Sequence, residues 1–225
     1  MMERYHGPLI ENEVVLGYIK FVPWLTLVIS GMIFWGMTIG NSSDVYRTLF
    51  EVCIYYSAFA IVISFFDKFI LKFKIFVYLL ISLIFVVLTI DISCINLLLI
   101  SQGELSSEMM VVCVYIAIGL FLIFSFVYAW YYLPKNQGKI WAINQWETYE
   151  KLLKNKKLMK FLKPLPVVAF VLIVIAVLSG HENYIECVFG VLNGILDLFA
   201  FPALVVDAIY GAIYISGNPS YDELK

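Results

Sequence analysis

The sequence predicts an all-α, polytopic membrane protein: a bundle of six transmembrane helices, both termini in the cytoplasm, and an amphipathic basic cytoplasmic helix between helices four and five. Three observations carry that prediction. Of 225 residues, 62% are hydrophobic and 14% are charged, whereas a soluble domain carries about 45–50% apolar and about 25% charged residues. The apolar residues fall in long unbroken runs, which excludes membrane strands, whose sequences alternate polar and apolar positions. The basic residues are distributed asymmetrically between alternate connections. The net charge of -2 argues against a nucleic-acid partner, and the high apolar content argues against a disordered chain.

A spanning helix needs about 20 mostly apolar residues, with a range of about 17–25. Six stretches meet or approach that length. The first is Phe21 to Gly40 and the second Val45 to Phe66. The third, Ile75 to Ile100, is uniformly apolar to Ile90 and then interrupted by Asp91, Ser93 and Asn96. The fourth is Met109 to Leu133, the fifth a short run from Leu165 to Ser179, and the sixth extends from Tyr184 to Ile215. Ser42 and Ser43 are placed to cap the second span, and Ser101-Gln102-Gly103-Glu104 has capping-box spacing before the fourth. Pro134 follows the fourth span, and Pro164 and Pro166 open the fifth, where a missing N–H costs little. Trp24, Trp35, Trp130, Tyr131 and Tyr132 lie near span ends, as interfacial aromatics do.

The Lys and Arg residues predict the orientation. With the N-terminus inside, Arg4, Lys20, Lys68, Lys72, Lys74, the eight lysines between Lys135 and Lys163, and Lys225 all face the cytoplasm; Arg47 alone lies outside. Cytoplasmic loops carry such an excess of positive charge. The chain therefore divides into a cytoplasmic arm (1–20), spans one to four (21–133), a basic cytoplasmic segment (134–164), spans five and six (165–215) and a cytoplasmic tail (216–225), multi-pass in the plasma or inner membrane. No cleavable signal is expected, because Glu3, Glu11 and Glu13 precede the first apolar run.

Within the basic segment, Ala142, Trp146, Tyr149 and Leu153 recur at helical spacing. Trp141 and Trp146, with Lys154, Lys156, Lys157, Lys160 and Lys163, make a helix suited to the inner headgroup layer. The alternative is a docking helix for a cytosolic protein partner.

Charged side chains in a bilayer core cost at least ~2.5–3.5 kcal/mol each, so each needs a reason. Glu51, Asp91, Glu186, Asp197 and Asp207 lie within apolar runs. In the last run Glu186, Gly190, Asn193, Gly194 and Asp197 share one helical face. That face combines GxxxG spacing with three polar side chains, so it is expected to face other helices. Either it packs the bundle, or Glu186, Asn193 and Asp197, with Asp91 and Glu51 towards the outer mouth, form an ion pathway. Gly36 and Gly40 repeat the GxxxG spacing in span one. The last run would be ~48 Å long as one helix, against a hydrocarbon core of ~30 Å. Pro202 is therefore expected to kink or break it and to act as a hinge.

Cys53, Cys94, Cys113 and Cys187 each fall in a span, without a CxxC. They read as small buried hydrophobes or as a disulfide or metal layer near the outer surface. His6 and His181 lie outside the spans, no HExxH, GxxxxGK[ST], GxGxxG or GxSxG occurs, and no Lys sits in a span. No metal site, cofactor or enzymatic activity is expected; the lipid bilayer is the one partner implied directly. Two functions fit: a small cation- or proton-translocating protein or permease subunit, and a non-transporting binding protein, such as an immunity factor against a membrane-inserting toxin or an assembly subunit.

Overall fold

The computed structural model describes residues 14–39, 44–101, 107–131 and 182–217. These residues are almost entirely helical, with no strand among them. The helices are α1 (Val14–Ile39), α2 (Asp44–Ser64), the short α3 (Asp67–Lys72), α4 (Lys74–Ser101), α5 (Ser107–Tyr131) and α6 (Glu182–Gly217). All but α3 are long and apolar enough to cross a membrane. Large apolar side chains such as Phe21, Met32, Trp35, Phe126 and Leu196 point outward. A soluble monomer rarely exposes apolar surface on that scale, whereas lipid solvates it. The predicted fifth span, the basic helix with Trp141, Trp146 and its lysines, Gly40, and the caps Ser42 and Ser43 lie outside the described residues.

Helix limits follow the apolar runs closely at α2, α4, α5 and α6. α1 begins earlier than its run, at Val14, so that Lys20 sits inside the helix. Helical hydrogen bonding does not depend on an apolar environment and can continue past the hydrocarbon. The connection between the second and third spans is also structured. Phe65 and Phe66 donate back to Val62 and Ile63, and α3 follows at once. Ile70 of α3 is fully buried, while Lys20 and Asp67 pair at 2.9 Å on the exposed side.

Side-chain contacts set the directions. Thr26 meets Ser57, and the Arg47 guanidinium lies over the Phe34 ring, so α1 and α2 are antiparallel. Tyr18 packs on Phe85 and Ser30 bonds Asp91, so α1 and α4 run the same way. Gly190 lies against Ile100 and Ser82 reaches Val205, so α6 runs opposite to α4. Phe124 packs on Phe199, Tyr128 clusters with Ala203 and Val206, and Tyr210 bonds Ala129, so α5 and α6 run in the same direction.

α4 is the hub. Of its most apolar stretch 61% is buried, against 6% for α5. Val77, Ile81, Ile84, Phe85 and Leu88 of α4 form a core with Ile19 and Val22 of α1, Ala60 of α2, and Val205, Ala208 and Ala212 of α6. The small residues Ala208 and Ala212, one turn apart, let α6 approach closely, which is how membrane helices gain contact when lipid removes the hydrophobic drive.

The break expected at Pro202 is not seen. Residues 182–217 form one helix with Pro202 inside it, not two segments. Proline removes the donor that would reach Leu198. In a membrane such a gap is tolerated where neighbouring helices supply polar groups. Here the Tyr128 hydroxyl donates to the adjacent Phe199 carbonyl at 2.9 Å, and Pro202 itself is buried.

Candidate functional site

Two polar groups lie in the interior formed by α1, α4 and α6. The first joins α4 to α6. Asn96 donates through Nδ2 to Asp197 Oδ2 at 2.7 Å. Asn193, one turn before Asp197, donates to Asn96 Oδ1 at 2.8 Å and approaches Asp197 Oδ2 at 3.4 Å. A carboxylate only accepts, which orients the Asn96 amide nitrogen towards Asp197 and leaves its oxygen for Asn193. Asn193 is exposed at the edge of the cluster. Asp197 and Asn96 are both buried.

Gly190 allows this approach. A Cβ there would lie 2.9 Å from the Asn96 carbonyl oxygen, 2.9 Å from Ile100 Cγ1 and 3.1 Å from Leu99 Cβ. Gly194 is looser, its nearest neighbour being Asn96 Nδ2 at 3.7 Å. The shared face of the last helix thus does pack on α4, through Gly190, Asn193, Gly194 and Asp197. Glu186, one turn before Gly190, is exposed instead. Gly36 meets no packing contact among the described residues within 4 Å of where its Cβ would be. Spacing alone did not reveal this, because GxxxG matters only where a partner helix covers it.

The second group is Asp91. It is fully buried, and Ser30 of α1 donates to its Oδ1 at 2.7 Å. Its Oδ2 has no hydrogen-bond partner among the described residues. Cys53 of α2 and Cys94 of α4 lie within electrostatic range. Asp91 is five residues from Asn96 along α4, a step of ~7.5 Å. Asp207, also fully buried, is ten residues beyond Asp197 along α6, or ~15 Å. Tyr18 of α1 lies within electrostatic range of it. Because α4 and α6 are antiparallel, Asp197, Asp91 and Asp207 descend through the bundle in that order.

Glu51 is not part of the interior. It is exposed on α2, where the Tyr55 hydroxyl donates to it at 3.2 Å. The four thiols are free, with Cys53 and Cys94 buried and Cys113 and Cys187 half-buried. Among the described residues no group of three or more metal-ligating side chains gathers.

Ser30 was missed as a site residue, and Asn96 was read only as an interruption of its span. Thr26 and Ser30 stand one turn apart on α1, both fully buried; that paired polarity in an apolar span is the signal that could have found Ser30. The chain matches no family model, no curated protein sequence and no solved structure.

Proposed function

We propose that this integral membrane protein is a small proton-translocating protein or proton-coupled permease subunit, with Asp91 as its central group. The observation that carries this reading is the buried Asp91 carboxyl, whose Oδ2 lacks a partner while Ser30 holds Oδ1. Intramembrane acids are costly and mark ion or proton pathways. A resident metal cation would need about six or more oxygen ligands for calcium, or near-octahedral oxygens for magnesium. Among the described residues, the surroundings of Asp91 offer one hydroxyl and two thiols, so a proton suits the site better. Asp197 and Asp207, spaced on either side in depth, are the adjoining stations. Steps of this length need intervening water or side-chain motion.

A six-span layout with both termini in the cytoplasm supports this reading. α5 and α6 run in the same direction, which supports one further crossing between them, the fifth span expected from the sequence. The lysine distribution favours the cytoplasmic placement of the N-terminus, in the plasma or inner membrane, with the basic segment at the inner headgroups or on a protein partner.

The test is reconstitution of the full chain into vesicles with an internal pH dye and an imposed gradient. Asp91→Asn is expected to abolish proton flux, while Asp67→Asn, on the exposed surface, retains it. Absence of flux from the folded wild-type protein under both pH and electrical gradients overturns translocation. A second reading, a non-transporting binding protein such as an immunity factor or assembly subunit, is favoured by the interhelical hydrogen bonds of Asn96, Asn193 and Asp197, which resemble a static clamp. No flux together with protection of cells from a membrane-inserting toxin is the result that supports it.

A further inference from the structure

A cavity of about 320 Å³ lies between α2, α4 and α5. Its walls are apolar, with Phe50 of α2, Val86, Ile90 and Leu97 of α4, and Ala117 and Phe121 of α5. Tyr46 lies at one end, close to the start of α2, and is only 6% exposed. Its hydroxyl is buried and has no hydrogen-bond partner among the described residues. A buried donor left unpaired costs about 1–3 kcal/mol, so its place at the cavity end points to an acceptor supplied from outside the chain.

The dimensions select the occupant. From Val86 to Leu97 is eleven residues, ~16 Å, which is half of a ~30 Å hydrocarbon core. The cavity is thus one leaflet deep. A single unbranched hydrocarbon chain matches a space of about 320 Å³ with that reach. The cavity is also continuous with the lipid-facing surface of α5, where its lining residue Leu122 is 60% exposed. Apolar cavities of about 150 Å³ already stay dry and take up apolar molecules.

We propose that this cavity holds one acyl chain of a membrane lipid, whose ester carbonyl accepts a hydrogen bond from Tyr46. The chain enters sideways from the bilayer, its polar end stays at headgroup level beside the start of α2, and its tail fills the space down to Val86.

The test uses the full chain in nanodiscs of phosphatidylcholine carrying a photoactivatable diazirine midway along one acyl chain. After irradiation, peptide mass spectrometry is expected to place adducts on the segments of Phe50, Leu97 and Ala117 at least five-fold above those of Phe59 and Leu196, which face lipid directly. Ala117→Trp is expected to remove that enrichment. Tyr46→Phe, which keeps the ring and the packing, is expected to lower it at least two-fold, and it carries the test if the tryptophan variant does not fold. Labelling in proportion to lipid exposure, unchanged in Tyr46→Phe, overturns the proposal. So do adducts blocked by contact with a second copy of the chain.

Discussion

Substitution of Gly190 by alanine probes the closest contact between α4 and α6. The added Cβ meets the Asn96 carbonyl oxygen and Ile100 Cγ1, both at 2.9 Å, and Leu99 Cβ at 3.1 Å. Ile100 can rotate, but the carbonyl belongs to the α4 backbone and the Leu99 Cβ is fixed to it. The helices must therefore separate by roughly half an ångström or more to reach ordinary contact distances. Overpacking of this kind costs about 1–3 kcal/mol. Separation also stretches the 2.7 Å bond from Asn96 to Asp197, and interhelical hydrogen bonds in membranes contribute about 0.6 kcal/mol on average and up to about 1.7. Alanine's better helix propensity returns roughly 0.5–1 kcal/mol. The expected net loss is about 1–3 kcal/mol. The matched controls are Gly194→Ala, whose Cβ would find its nearest neighbour at 3.7 Å, and Gly36→Ala, which meets nothing within 4 Å; neither is expected to lose stability. The assay is reversible unfolding of purified protein in mixed micelles by increasing SDS fraction, followed by tryptophan fluorescence. Equal midpoints for the three variants would refute the close approach of α4 and α6 at Gly190, and with it the register that brings Asn96 to Asp197.

Two further outcomes follow from the same contacts. Tyr128→Phe removes the donor to the Phe199 carbonyl beside the Pro202 gap; a loss of about 0.6–1.7 kcal/mol is expected in the same unfolding assay, and an unchanged midpoint would show that this bond does not hold α5 to α6. Asp67→Asn breaks the pair with Lys20, but both side chains are about half exposed or more, so the expected change is below about 1 kcal/mol and vanishes at high salt; a larger, salt-independent loss would show that Asp67 does more than form an exposed pair.

The legible part of the sequence was the set of helices. α2, α4, α5 and α6 start and stop within a few residues of their apolar runs, because insertion into hydrocarbon depends on local composition summed over one segment. The buried acids Asp91, Asp197 and Asp207 were legible as anomalies for the same reason. Their roles were not. Asp91 and Asp197 looked alike, yet one has an oxygen without a partner and the other is tied by two asparagines. Gly36 and Gly190 looked alike, yet only Gly190 touches another helix. Glu186 shares a face with Asp197 but lies beyond the contact.

What the amino-acid order determined alone is that the described residues are helical, where α2, α4, α5 and α6 begin and end, and that their surroundings must be largely apolar. Tertiary structure decided which faces meet. Asn96 and Asp197 are 101 residues apart in the chain, and Ser30 and Asp91 are 61 apart. Their pairing depends on helix rotation and register, which packing at Gly190, Ala208 and Ala212 sets. Likewise Pro202 is carried within α6, buried against neighbouring helices with a tyrosine of α5 bonded to the next carbonyl along. Hydrophobic length is a property of one segment, whereas hydrogen-bond partnership is a property of two.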